Sequence, residues 1–364
     1  MNFNAFFLKS FRVLLLPFAI AYGIIIFIRN KLYDKNFLLH ETTFNFPLIC
    51  IGNVAVGGTG KSPMVEYLLN FLHPTYKVAT LSRGYKRKTK GYALANENTT
   101  ALEIGDEPMQ FHLKFPNVPV AVGEERLVAI PQLLHDVPDL QVIILDDAFQ
   151  HRAVKAGLNI VLTDYNNLYI YDFFLPTGDL RDERRSVKRA DIIIVTKCPP
   201  DLTFDKKQKI LRNLHPLNTQ LVYFTTIEYD TPYHIITHEL KPITENDEVL
   251  LVCGIANPKP LKDYLHQQAA TYYQKNYNDH HIFTIDDLKE IIERYKAIDV
   301  PQKMILTTEK DAVRLTKFKQ ELVDLPLYVL PIKHRFLFDE ASLFESAVEQ
   351  YIVNFNKTHE QAKK

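Results

Sequence analysis

The stretch from Phe46 to Leu72 constrains the fold more than any other part of the chain. FPLICIGN, residues 46–53, is an apolar run that ends in turn residues. AVGGTGKSP follows, and Val65, Leu68, Leu69 and Leu72 then recur at helical spacing over residues 62–72. A strand, a glycine-rich loop and a helix in that order belong to a sheet covered by helices. Gly57, Gly58 and Gly60 let the backbone approach a polyphosphate, while successive N–H groups at the helix start face the anion. Gly57, Gly58, Thr59, Gly60, Lys61 and Ser62 are thus the candidate nucleotide cradle, with Lys61 reaching the β/γ-phosphates and Ser62 holding Mg²⁺. The generic GxxxxGK[ST] pattern asks for glycine where this chain has Ala55. Context restores the reading: VIILDD, residues 142–147, is an apolar run ending in Asp146 and Asp147, where a carboxylate can enter the Mg²⁺ shell.

Further buried-strand candidates are VATL at 78–81, NIVLTD at 159–164, DIIIVT at 191–196, LVYF at 221–224, EVLLVCG at 248–254 and KMILTT at 303–308. Continuous β-branched runs at helix-length intervals predict an α/β fold: a mostly parallel sheet of the P-loop NTPase kind with helices on both faces. At 364 residues the chain exceeds the usual limit of one core, so a second, smaller α/β domain is expected. The charged, proline-containing stretch 198–218 suggests the boundary, giving a P-loop domain over 31–215, a smaller domain over 216–350 and a polar tail over 351–364.

Residues 13–28, VLLLPFAIAYGIIIFI, carry no charge and are bracketed by Lys9, Arg12, Arg29 and Lys31. Sixteen residues span about 24 Å as a helix, against about 30 Å of hydrocarbon, so crossing and partial insertion both fit. A membrane-seated helix over 1–30 with the remaining chain on the cytoplasmic side is expected, with a buried core helix as the alternative. Lys plus Arg and Asp plus Glu number 43 each, and a net charge of +0 argues against a nucleic-acid partner. Cys50, Cys198 and Cys253 sit in or beside apolar runs without a CxxC pair and read as reduced thiols.

Base identity has one sequence test. Thr196-Lys197-Cys198-Pro199 has proline where a guanine-reading carboxylate would stand, which favours adenine. The other clusters are ordinary when taken singly. SRGY at 82–85 puts Arg83 and Tyr85 at the carboxyl end of the sheet, GDEP at 105–108 suits a helix cap, and DHH at 279–281 suits a surface loop. LPTGDLRDERRSVKRAD could be a salt-bridged helix, and His112, His151, His280 and His281 lack metal-ligand spacing.

Together, in this order, GNVAVGGTGKSP, SRGY, GDEP, DDAFQH, LPTGDLR, DHH after Asn278 and TTEKDAVRL resemble the tetraacyldisaccharide 4′-kinases of lipid A biosynthesis over nearly the whole chain. That family's phosphate loop likewise starts from a Gly-Asn pair, here Gly52-Asn53, without the extra glycine. Departures are Lys86 and Ala148 where the family has glycine, and Asp182-Glu183 in place of Glu-Pro. The resemblance implies an enzyme that moves the γ-phosphoryl of ATP, with Mg²⁺, to the 4′-hydroxyl of an acylated glucosamine disaccharide 1-phosphate. Its place would be the lipid surface at the cytoplasmic face of the bacterial inner membrane. It also implies that Asp106 and His280 form the base pair of the reaction, that Lys61, Asp146 and Asp147 carry the phosphoryl chemistry, and that Arg83, Tyr85, Arg126 and Arg181 contact the substrate. Two rivals remain from the residues alone: a membrane-associated P-loop ATPase or GTPase switch, and a soluble small-molecule kinase or ligase.

Overall fold

The structure is a computed structural model that describes residues 12–361. Lys9 and the start of the expected 1–30 helix lie outside the described residues, as do residues 362–364 of the expected tail.

Helix α1 (Leu16–Asp34) continues a 3-10 turn at Val13–Leu15, and Pro17 sits in its first turn, where a missing N–H breaks no helical bond. One stripe of α1, made of Ala19, Gly23, Ile26 and Asn30, is buried. Gly23 is required there because a Cβ would come within 2.8 Å of the Phe174 ring. Phe18, Ile20, Ile24, Ile25, Phe27 and Ile28 on the other faces are exposed. Both ends are tied to the same body. Arg12 donates to the Pro176 and Gly178 carbonyls and pairs with Asp179 at 2.9 Å, Asn30 donates to Asp182 and Glu183 at 2.8 Å each, and Asp34 pairs with Arg152 at 2.9 Å. Asp182 is fully buried in this dock, so the Asp182-Glu183 departure from the family pattern serves α1.

Among the described residues nine strands form the first sheet. Its centre is β1 (Leu48–Gly52), between β4 (Val142–Asp146) and β5 (Leu158–Asp164), all parallel. On one side follow β2 (Val78–Ser82), β3 (Val120–Val122) and an antiparallel edge at Ala93–Leu94; on the other follow β6 (Ile192–Thr196), β7 (Leu221–Tyr229) and antiparallel β12 (Ile332–Phe336). Helices α2 (Lys61–Leu72) and α3 (Asp106–Lys114) pack on one face, and α4 (Arg126–Asp136) and α5 (Phe204–Leu214) on the other. Burial on both faces explains why the central strands read as unbroken apolar runs.

The second sheet orders β11 (Leu327–Leu330), β10 (Lys303–Thr308), β8 (Glu248–Cys253) and β9 (Thr271–Asn276) in parallel, with Tyr233–His234 antiparallel at the edge of β11. Helices α7 (Ile285–Lys296) and α8 (Glu309–Leu315) cover one face and α6 (Lys259–Gln268) the other.

Two expected boundaries are corrected. The stretch expected to hold the boundary contains α5, and β7 after it still belongs to the first sheet, so the chain leaves that sheet at Tyr229 and not at 215. It returns through Pro331 into β12, and α9 (Ala341–Gln361) then packs Phe344, Val348 and Ile352 into the core over the first sheet. The smaller unit is therefore an insertion, and the expected tail at 351–364 is helical through Gln361. The i, i+4, i+8 apolar spacing of Phe344, Val348 and Ile352 carries this signal beneath a polar composition.

Candidate active site

The glycine-rich loop connects β1 to α2 at the carboxyl end of the first sheet. Gly57 and Gly60 have φ of +106° and +88°, which L side chains rarely adopt, and a Cβ on Gly57 or Gly58 would face open space. A second segment braces the loop. Val56 N–H donates to the Asp179 carbonyl at 2.7 Å, and Arg181 N–H donates to that of Val54 at 2.9 Å. That pairing aims Arg181 inward, where its guanidinium bonds both Asp147 and the Asn53 side chain. Asn53 is fully buried and also donates to Thr59 Oγ1 at 2.8 Å.

The two aspartates diverge in environment. Asp147 is partly buried, but Lys61 at 3.7 Å and Arg181 outweigh that burial and hold its carboxyl below the ordinary range. Asp146, at the end of β4 in register with Ile51, is pushed up to about 7 by burial and then by the charges of Glu107 and Asp147. Its Oδ2 accepts from Ser82 Oγ at 3.2 Å, while its buried Oδ1 has no partner. Ser62 Oγ donates to Glu107 at 3.2 Å, so the GDEP segment touches the loop directly.

Asp106 precedes Glu107 at the N-terminus of α3. Its Oδ2 accepts from His280 Nδ1 at 2.9 Å and from Arg314 at 2.6 and 3.0 Å. Burial raises the Asp106 carboxyl, but the bonds from Arg314 and His280 prevail and hold it low. With its proton on Nδ1, His280 can accept from Lys310 at Nε2, 3.3 Å away. His280, Lys310 and Arg314 belong to the inserted unit and Asp106 to the first, so the pair exists only where the two meet. His280 adopts φ +64°, a left-handed backbone of the kind found held under strain at functional sites.

Of the expected substrate contacts, Tyr85 is exposed with its ring 6.1 Å from that of His280. Arg83 is exposed at the end of β2. Arg126 is almost fully buried, and among the described residues no carboxylate lies within ion-pair distance of it. Its Nε lacks a partner and burial pushes it down to about 10. An unpaired buried guanidinium is suited to an incoming anion. Asn53, Glu107, Lys310 and Arg314 join the site although residue type and spacing alone assign them no role. Each lies inside a quoted motif, but its role depends on a partner far away in the chain.

Three comparisons bear on this arrangement. The family model described as Tetraacyldisaccharide-1-P 4'-kinase matches residues 11–352. Relatives named Tetraacyldisaccharide 4'-kinase include that of Flavobacterium johnsoniae, 45% identical over 94% of this chain and 97% of its own length, and that of Phocaeicola vulgatus, 42% identical over 93% and 94%. A solved structure of LpxK from Aquifex aeolicus, described as an "apo" form in complex with ATP, has a TM-score of 0.73 and 27% identity, and covers 94% of this chain and 99% of that one. With the motifs, the fold and these matches in agreement along almost its full length, this chain belongs to the tetraacyldisaccharide-1-P 4'-kinase family.

Proposed function

We infer that this chain transfers the γ-phosphoryl of ATP to the 4′-hydroxyl of a tetraacyldisaccharide 1-phosphate in lipid A biosynthesis. The observation that carries the reading is the Asp106–His280 pair, 2.9 Å apart and drawn from separate units, one residue from the Glu107 that Ser62 contacts. All three bonds to Asp106 end on Oδ2, so Oδ1 is the oxygen turned to the acceptor hydroxyl. His280 orients that carboxylate and shares its proton. Lys61 and the N–H groups of the loop hold the nucleotide phosphates, and Arg181 fixes Asp147 beside them. Arg126, with Arg83, Tyr85 and Arg181, contacts the charged and sugar portions of the substrate.

The partnerless Oδ1 and raised carboxyl of Asp146 fit a divalent cation, and Ser62, Asp146 and Asp147 would hold Mg²⁺, with Asp146 the direct carboxylate. Among the described residues no group of three or more His, Cys, Asp or Glu side chains could hold a metal ion, so phosphate oxygens and water would complete the shell. When bound, Mg²⁺ supplies positive charge to the phosphate oxygens.

The substrate's acyl chains keep it in the bilayer, and the bare faces of α1 suit a seat at the cytoplasmic surface of the inner membrane. The apolar helix, Val13–Asp34, would be about 33 Å long, enough to cross by length and composition. Its two ends nevertheless bind one body, which favours a helix lying in the interface over one that crosses. Tyr22 on α1 donates to the Arg181 carbonyl at 3.1 Å, linking this seat to the site. The test is to incubate the purified protein with ATP, Mg²⁺ and the disaccharide 1-phosphate lipid and to weigh the lipid product. A gain of one phosphoryl group supports the reading; release of inorganic phosphate with unchanged lipid contradicts it.

A further inference from the structure

Beneath the phosphate loop, two buried side chains hold two consecutive carbonyls. Thr196 Oγ1 donates to the Thr59 carbonyl at 2.8 Å, and His334 Nε2 donates to the Gly60 carbonyl at 2.9 Å. In a planar trans peptide the carbonyl and the following N–H point in opposite directions. Drawing the carbonyls of Thr59 and Gly60 into the core therefore turns the N–H groups of Gly60 and Lys61 toward the open side of the loop.

His334 stands on β12, which follows β11 of the second sheet with only Pro331 between them. Its Nδ1 accepts from Thr225 Oγ1 at 2.9 Å, and Thr225 lies on β7, the strand by which the chain leaves the first sheet. With Nδ1 serving as acceptor, the ring proton sits on Nε2, where Gly60 needs a donor. Burial pushes the imidazole down to about 4, so it stays a neutral donor. The approach is close: a Cβ on Gly60 would come 3.0 Å from His334 Nε2. Gly60 also accepts the first helical bond of α2, from Met64 N–H at 3.2 Å, so the imidazole caps the same carbonyl from the side.

We propose that His334 is a positioning residue for ATP, which sets the Gly60–Lys61 peptide for phosphate binding and fastens it to the two strands that join the domains. The proposal rests on the reading of Gly57–Ser62 as the ATP cradle. It makes nucleotide affinity depend on a side chain 274 residues beyond Gly60, carried by the strand that returns from the insertion.

The test compares two variants of the full chain that differ in where they place an amide. His334→Gln puts an N–H donor near the Nε2 position, whereas His334→Asn reaches only the Nδ1 position. Asn is expected to raise the KM and Kd for ATP about tenfold, the scale of one lost buried hydrogen bond, with the lipid KM unchanged. Gln is expected to stay within about threefold of the parent, since the donor is kept. Equal ATP affinity in the two variants would overturn the proposal. So would a rise of both KM values together with a lower Tm, which is the mark of a merely structural role. Should either protein fail to fold, Thr225→Val removes the hydroxyl that fixes the tautomer, and unchanged ATP affinity there overturns it equally. Lys61→Ala separates the two layers. If it binds and turns over ATP normally, the cradle reading fails; if it is disabled while the His334 variants match the parent, only the positioning role fails.

Discussion

Asp146 and Asp147 are neighbours in sequence with opposite electrostatic fates, and this divides their work. Asp147 answers to Lys61 and Arg181, while Asp146 keeps a buried oxygen without a partner. Lys61→Ala and Asp146→Asn should each lower lipid phosphorylation by about 10²-fold with the fold intact, because each removes charge from the transferring group or its metal site. Near-normal turnover of either folded variant would contradict these roles. The chemistry-bearing residues that sequence made legible are those whose type and spacing already define a task, such as Lys61 after Gly60. Asn53, Glu107, Arg314 and His334 were not legible, because each acts through a partner supplied by folding. Lys86 illustrates the reverse case. It adopts φ +61°, which explains the family's glycine at that point, whereas Ala148, the other departure, has no left-handed backbone to accommodate.

Among elements, the contact of α2, α3 and α8 joins the two units through one lysine. Lys114 on α3 pairs with Glu66 of α2 at 2.5 Å and with Glu309 of α8 at 2.6 Å, and Glu309 also accepts from the Ile332 N–H at 3.1 Å. Burial and then the charge of Glu309 push Glu66 up to about 7, ahead of the lowering effect of Lys114. A carboxyl raised above its unfolded value of about 4.3 binds its proton more tightly when folded. Its contribution to stability is therefore complete below about pH 4 and is lost as pH rises through about 7. Glu66→Gln should flatten that part of the Tm profile and gain on the parent toward pH 8, as thermal melts across the range would reveal; parallel profiles would contradict it. Strands buried on both faces were legible from their runs of Ile, Val and Leu. β9, TYYQKN, was not, because an edge strand with mostly exposed side chains leaves no apolar run. The membership of β7 and β12 in the first sheet was hidden as well, since pairing across 100 residues leaves no local mark.

For the whole molecule, three attachments converge on one centre: α1 on the LPTGDLR segment, that segment on the phosphate loop, and the insertion on α3. The proposed seating through the bare faces of α1 would be driven by apolar burial and should resist high salt. Phe18→Asp with Ile25→Asp, both at exposed positions, should release the protein from anionic vesicles while ATP binding persists; continued pelleting in high salt would show that another surface anchors it. On the proposed function, Asp106 and His280 complete the reacting centre across the two units. A double-mutant cycle on the lipid phosphorylation rate, using Asp106→Ala, His280→Ala and both together, tests this most directly. If they act as one unit, the double variant falls no more than about threefold below the weaker single variant. A rate equal to the product of the two separate defects would contradict the claim.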